Sequence, residues 1–359
     1  MKALRNVAII ILVVSFVMII GVCSYYNYNI APVGTSTDNI EVTIPKGTSN
    51  KGVAKILKGK KLIRDETCFL VYLRIYSDLK VKAGYYDFNQ SMGVAELAKK
   101  LSEGSKKNPN EIQITFKEGI NIREIAKIIS ENTSNSYEDI INKTNDSNYL
   151  DSLIKKYWFI TEDVKNSELY YGLEGYLFPD TYRFENKNVT IEKIFEKMLN
   201  EMNEVLTLYK KDIEKSNLSI HQILTLSTIV EKESATKKDR GKVASVMLNR
   251  LRDGWALGSD VTTRYSLKID NNKQALTKAQ FQTISPYNTR LTNGMMNGKL
   301  PVGPICSPSK ESIEASIYPE ETNYYYFIAN IETLETFFYQ YEADFSKKKQ
   351  ELQAVNKGL

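Results

Sequence analysis

"TFKEGINIREIAKII", residues 115–129, decides the fold class once it is laid on "TIPKGTSNKGVAKIL", residues 43–57. Thr, Gly, a basic residue and Ala-Lys-Ile recur in register, as do the apolar positions. Each copy predicts a short strand, a turn at the glycine, then a helix. The helices carry Val53, Ile56 and Leu57, or Ile125, Ile128 and Ile129, at helical spacing. A looser third copy is "DFNQSMGVAELAKKL", residues 87–101, with Val94, Leu97, Ala98 and Leu101 on one face. Ser91 is placed to cap that helix. The chain as a whole is expected to be α+β, with these units as small α/β subdomains.

Units of this size and order are similar to LysM glycan-binding modules. A packing spacer would show the same pattern, so both readings stay open. "SEGSKKNPNE", residues 102–111, is polar and marks a boundary between units. Residues 132–169 are polar and helix-prone and suggest no chemistry.

The 359 residues suffice for two or three domains. With 42% apolar and 25% charged residues, the chain has the composition of a folded protein. A net charge of +5, without a dense basic cluster beside stacking aromatics, gives no case for nucleic acid binding. There is one histidine, His221, and there are three cysteines, Cys23, Cys68 and Cys306. That inventory is too thin for a zinc site, and no cofactor or metal is expected. Chemistry here must run on carboxylates, hydroxyls and backbone groups. A Cys68–Cys306 disulfide is open to a protein outside the membrane, but "CFLVYLRIY" around Cys68 reads as the setting of a buried free thiol.

Residues 7–23, "VAIIILVVSFVMIIGVC", are uncharged and apolar. With their flanks they reach the roughly 20 residues that span a bilayer. Lys2 and Arg5 precede the run, and no charge occurs after it until Asp38. The N-terminus is therefore expected in the cytoplasm and the rest outside it. Tyr25, Tyr26 and Tyr28 fall where an interfacial aromatic belt would lie. The run lacks the small-residue cleavage site of a signal peptide, so an uncleaved anchor is the expectation.

In "NLSIHQILTLSTIVEKES", residues 217–234, Ser219 and Gln222 have capping-box spacing. On a wheel of ~100° per residue with Leu226 at zero, Glu233 falls at roughly −20°, on the apolar stripe. Glu231 falls at roughly 140° and His221 at roughly −140°, both off it. One carboxylate, Glu233, is thus expected to face inward. Burial raises a carboxyl pKa, and a proton held near neutral pH is what a general acid needs. A helix end meeting solvent, or a buried ion pair, would also place an acid there.

Two neighbouring regions add to this. "LEGYLFPDTY", residues 173–182, combines aromatics with Glu174 and Asp180; sugar contact and an aromatic corner packed on the core are both open for Tyr176 and Phe178. After the helix "RGKVASVMLNRL" come some 50 residues rich in turn formers, including "GSDVTTRYS", "SPYNTR" and "GKLPVGPICSPS". Ordering so long an irregular stretch is costly unless it builds a groove.

These segments, with "NYYYFIAN", come in the order seen in the membrane-anchored endolytic murein transglycosylases of the YceG-like family. The chain resembles that family over nearly its whole length. The resemblance implies an anchor at 7–26 after a cytoplasmic 1–6, and a linker at 27–40. It then implies a LysM-like subdomain at 41–108, a second LysM-like or connecting region at 109–165, and a mixed α+β catalytic domain with a glycan groove at 166–359. It implies that Glu233 is the essential acid. It also implies that Asp260, Thr262, Tyr265, Tyr287, Asn288 and Thr289 line the groove, with Pro301 and Pro304 in a loop beside it and Glu174 within reach of substrate. Departures from the family pattern are Val261 and Val302 where proline is usual, Lys299 in place of Gly, and Arg290 in place of an aromatic.

The implied substrate is the peptidoglycan strand, cut to 1,6-anhydro-N-acetylmuramoyl ends. The implied partners are cell-wall synthesis or division proteins. A lysozyme-like hydrolase using Asp260 or Glu174 as a second carboxylate, and a non-catalytic wall-binding scaffold, are the alternatives.

Overall fold

A computed structural model describes residues 2–104, 108, 110–270 and 275–353. The chain forms two compact units, 1–111 and 112–359. Part of the polar boundary stretch, 105–107 and 109, lies outside the described residues.

The first unit opens with α1 (Lys2–Ile30), which among the described residues is the one helix long and apolar enough to cross a membrane. Next come β1 (Ile40–Ile44), α2 (Asn50–Gly59), α3 (Glu66–Ile75), β2 (Gly84–Phe88) and α4 (Val94–Glu103). β1 and β2 pair antiparallel, Val42 opposite Tyr86. Val53, Leu57, Phe69, Phe88, Leu97 and Leu101 close the core beneath them. The alternating strands send every second side chain inward, and the helices bury the predicted stripes.

Two expectations are corrected here. Ser91 does not cap α4: its hydroxyl and N–H both bond Asn89 Oδ1, and Gly93 is the N-cap without a side-chain bond. An Asx turn takes the serine before the helix begins. Nor is 27–40 a free linker, because α1 stays helical to Ile30. The Arg64 guanidinium donates to the carbonyls of Tyr28 (3.1 Å) and Ala31 (2.8 Å), a cation satisfying the orphan acceptors of a helix C-terminus. Gly34 N–H donates to Gln90 O and Ser91 N–H to Ser36 O, tying residues 34–36 down as well.

The second unit begins with β3 (Ile112–Thr115), α5 (Ile122–Asn132), α6 (Tyr137–Lys143) and α7 (Ser147–Lys156). It continues through β4 (Thr181–Phe184), α8 (Ile191–Thr207), α9 (Lys210–Lys215), α10 (Ile220–Glu233), α11 (Arg240–Arg252), α12 (Asp260–Ser266) and α13 (Lys278–Phe281). It ends with α14 (Lys310–Ile317), the hairpin β5 (Tyr326–Ala329) and β6 (Thr336–Tyr339), and α15 (Glu342–Glu351). The repeat at 115–129 folds as strand, turn and helix, with a full capping box from Asn121 and Glu124.

Residues 112–165 share one core with the chain beyond them and form no layer of their own. β3 pairs antiparallel with β4, Ile114 opposite Tyr182, and that core runs from Ile114 through Phe159 and Tyr176 to Leu224. Pairing across nearly 70 residues leaves no local mark in the sequence. Cys68 and Cys306 are free and buried.

Candidate active site

α10 builds the site because its middle, from Ile223 to Val230, is buried on every side. The predicted Ser219–Gln222 capping box starts it. All residues from Ile223 to Val230 are buried, and the polar ones bond their own helix: Thr225 and Ser227 hydroxyls donate to the carbonyls four residues back, Thr228 to the one three back. There is therefore no solvent face, and two wheel positions are corrected. His221 is buried. Val302 O can only accept, so His221 Nε2 donates to it (2.9 Å), and Nδ1 accepts from Tyr176 OH (2.7 Å). Glu231 is also buried, its side chain 8% exposed. It accepts from Ser309 N (3.0 Å), Ser309 Oγ (2.5 Å) and Ser312 Oγ (2.7 Å), and pairs with Arg240 Nη2 at 2.8 Å. This saturated carboxylate pins the end of α10 to the start of α14.

Glu233, the last residue of α10, has a different setting. It opens on a cleft of about 700 Å³ that also receives Arg250 from α11, Ser259 and Asp260, the Thr289–Arg290 turn, Tyr326 of β5 and Lys349 of α15. Its carboxylate has one short partner, Ser259 Oγ at 2.5 Å. Burial pushes its pKa up and nearby Asp260 adds to the rise; the Ser259 bond, Arg250 and Arg290 oppose it, and the net shift is upward. Arg250 is fixed by the carbonyls of Tyr325 (2.8 Å) and Leu257 (2.5 Å), and Asp260 pairs with Arg290 at 2.5 Å. A carboxyl whose pKa is raised, open to a cleft and flanked by two arginines, can donate a proton and take one back.

Beneath the cleft is a dense neutral network. Thr289 Oγ1 accepts from Ser259 N–H (3.1 Å), and Thr262 and Thr289 hydroxyls bond each other at 2.8 Å. Thr263 Oγ1 donates to Asn288 Oδ1 (2.7 Å), while Asn288 Nδ2 donates to the carbonyls of Phe281 and Thr283. These bonds set the position of Ser259, and through it that of Glu233.

Residues 42–353 match the YceG-like family. The chain belongs to the YceG-like family. It is 33% identical over 295 residues to a Bacillus subtilis protein named endolytic murein transglycosylase, covering 82% of this chain and 79% of that one. It is 30% identical over 341 residues to the Streptococcus pneumoniae protein of the same name, covering 89% of this chain but 61% of that longer one. A crystal structure of a YceG-like protein from Listeria monocytogenes superposes with a TM-score of 0.61 at 33% identity, covering 88% of this chain and all of that one.

The YceG-like motifs divide in space. Glu233 and Asp260 meet at the cleft, and Thr289 lies in its floor without exposed surface. Thr262, Tyr265, Tyr287 and Asn288 are buried beneath it and have almost no surface to offer a ligand, which corrects the expectation that they line a groove. Tyr265 and Tyr287 pack with Tyr170, ring centroids 4.7–5.7 Å apart. Tyr176 is a core residue, so the aromatic corner prevails there. Pro301 lies by a separate cavity with His221 and Gln222, and buried Pro304 packs on Gly175. Gly175 has φ +78°, and a Cβ there would lie 2.3 Å from Pro304 Cβ. Gly175→Ala is expected to destabilise the protein by about 1–3 kcal/mol from overpacking alone, read as a lower urea midpoint.

Two departures from the YceG-like pattern have visible uses. Arg290 reaches Asp260 and Gly258 O, and Val302 N–H donates to Pro286 O (3.1 Å), a bond proline lacks. Ser259, Arg250 and the Glu231 pair are the site residues that sequence reasoning misses. The "GSD" run beside the motif is the available sign for Ser259; the others depend on partners far along the chain.

Glu174 is 1% exposed and cannot meet substrate, a second correction. Both its oxygens accept from Ile122 N–H at the start of α5, and one from Tyr265 OH (2.9 Å). Burial pushes it up to about 7. The folded state then binds a proton that the unfolded state releases near pH 4.5, so this group's stabilisation is complete below that pH and lost as pH rises to about 7. The loss amounts to roughly 3 kcal/mol at ~1.4 per unit. Glu174→Gln should flatten that part of the stability–pH curve in urea titrations; an unchanged slope would refute the assignment. Among the described residues no three His, Cys, Asp or Glu side chains gather as a metal site requires.

Proposed function

We propose that this chain is a membrane-anchored endolytic lytic transglycosylase that cuts the N-acetylmuramoyl–N-acetylglucosamine bond of peptidoglycan strands. The observation that carries this is Glu233: one carboxyl with a raised pKa at the end of a buried helix, opening on a cleft. It stands in a chain whose relatives are named endolytic murein transglycosylases.

Most glycosidases need two carboxylates. Here one suffices. Protonated Glu233 gives its proton to the glycosidic oxygen as the C1–O bond breaks. The resulting carboxylate takes the proton of the same sugar's C6 hydroxyl, and O6 closes on C1. No water is consumed, and the internal nucleophile gains from proximity. Ser259 orients the carboxyl, Arg250 and Arg290 offset charge in the transition state, Asp260 contacts the glycan, and Thr289 supports the cleft floor. Thr262, Tyr265, Tyr287, Asn288 and Glu174 hold that surface from beneath, and Pro301 and Pro304 shape the loop from 299 to 304.

In this reading α1 anchors the chain with its N-terminus in the cytoplasm and both units outside. The strand–turn–helix units of the first unit are LysM-like and hold glycan. Proteins of wall synthesis or division are the partners. The enzyme would then cut nascent strands near the membrane and limit their growth.

Mass spectrometry of fragments released from peptidoglycan tests the proposal. Products one water lighter than reducing muropeptides are expected. Reducing ends would instead make water the nucleophile, with Asp260, which shares the cleft, as the second carboxylate. Binding without release would leave a wall-binding scaffold.

A further inference from the structure

We propose that α3 lies on the outer surface of the membrane that α1 crosses, with Val71, Ile75 and Tyr76 in contact with lipid. The proposal rests on the reading of α1 as an anchor.

Three observations converge on it. The first is depth. From Val7 to Tyr26 the helix rises roughly 30 Å, at about 1.5 Å per residue, which is the thickness of the hydrocarbon core. Tyr26 therefore sits at the outer boundary, where interfacial tyrosines lie.

The second is contact. α1 packs against α3, and the Tyr26 phenol lies near enough to Cys68, Tyr72 and Tyr76 to feel them electrostatically. Within the last turns of α1, Tyr26, Asn29 and Ile30 are the covered positions, and Ile30 joins the core of the first unit. The Arg64 clamp on the Tyr28 and Ala31 carbonyls, with its guanidinium 4.6 Å over the Tyr28 ring, removes any hinge between anchor and unit. α3 is thus held at the level of Tyr26.

The third is the surface itself. Val71 (40% exposed), Ile75 (61%) and Tyr76 (48%) stand uncovered on that helix and its C-cap, and Val22 and Tyr25 of α1 are exposed as well. A soluble unit gains nothing by leaving Ile75 in water one turn from Val71. A bilayer surface covers both. The neighbouring charges are mixed, Arg74 and Lys80 against Asp78, so the contact is apolar in origin and asks for no anionic lipid.

The test uses the full chain in phosphatidylcholine nanodiscs, carrying Cys23→Ser, with one exposed cysteine added at a time and labelled by an environment-sensitive fluorophore; Cys68 and Cys306 stay buried, and the Cys23→Ser parent measures any labelling of them. The sites are Phe16→Cys in the middle of α1, Val71→Cys, Ile75→Cys and, as control, Lys99→Cys on the exposed side of α4. Lipids bearing a nitroxide supply the quencher. Blue-shifted emission and quenching at 16, 71 and 75, with neither at 99, is the expected result. Quenching at 16 but emission at 71 and 75 like that at 99 overturns the docking and leaves the anchor. A blue shift at 71 and 75 without quenching means that protein, such as a second copy, covers the face, and also overturns it. No quenching at 16 removes the anchor and this proposal together.

Discussion

Glu233→Gln is expected to slow glycan cleavage by about 10²–10⁴-fold, the usual worth of general acid–base catalysis, while the protein folds as before. Glutamine keeps an oxygen to accept from Ser259 Oγ and the same volume at the end of α10. What it loses is the exchangeable proton. Because burial opposes the ionised form of Glu233, its replacement by a neutral group should not lower the thermal midpoint. Activity and midpoint measured together separate a chemical role from a structural one. An undiminished rate would sink the assignment. The sign of the pH dependence comes from the upward shift: the acid form drives the first step, so kcat/KM should fall as pH rises through Glu233's own elevated pKa.

Two residues earlier the opposite result is expected. Glu231→Ala should cost about 3–5 kcal/mol of stability, because it leaves the buried Arg240 guanidinium with only the long 3.9 Å pair to Glu311 and strands three donors of the α14 start. Urea unfolding reads this directly. Glu231→Gln keeps acceptors for the serines but removes the counter-charge, and should fall between wild type and alanine. Activity should fall with the folded fraction. If Glu231→Ala leaves the urea midpoint unchanged, the network contributes nothing net. The pair of variants thus divides "EKE" into a carboxylate that reacts and one that fastens.

The helical wheel singles out Glu233, yet its premise is only half met. It assumes one inward face, whereas the middle of α10, from Ile223 to Val230, is inward all round. For that reason it places Glu231 and His221 outward. What distinguishes the two acids is not burial but partners. Ser309 and Ser312 are about 80 positions from Glu231, and no periodicity reports them. The strand–turn–helix repeat is legible because its parts are neighbours in sequence, and so is the capping box of α10. The β3–β4 pairing is not, and it joins 112–165 to the rest of the second unit. The motif residues are legible as a set. Their division into cleft (Asp260) and underlayer (Thr262, Tyr265, Tyr287, Asn288, Thr289) needs three dimensions, because nearby helix positions such as 260 and 262 point to different sides.

The underlayer of hydroxyls and amides has a consequence for the conditions the protein can tolerate. Screening by salt weakens interactions between exposed charges, over about 8–10 Å at physiological strength, and leaves short neutral hydrogen bonds nearly untouched. Ser259, Thr262, Thr263, Asn288 and Thr289 carry no charge and do not titrate near neutrality. The scaffold that aims Glu233 is therefore blind to ionic strength, whereas the exposed Asp260–Arg290 pair is not. Against a wall whose fixed charges make local ion concentrations vary, the aim of the acid stays constant and only the rim of its cleft responds.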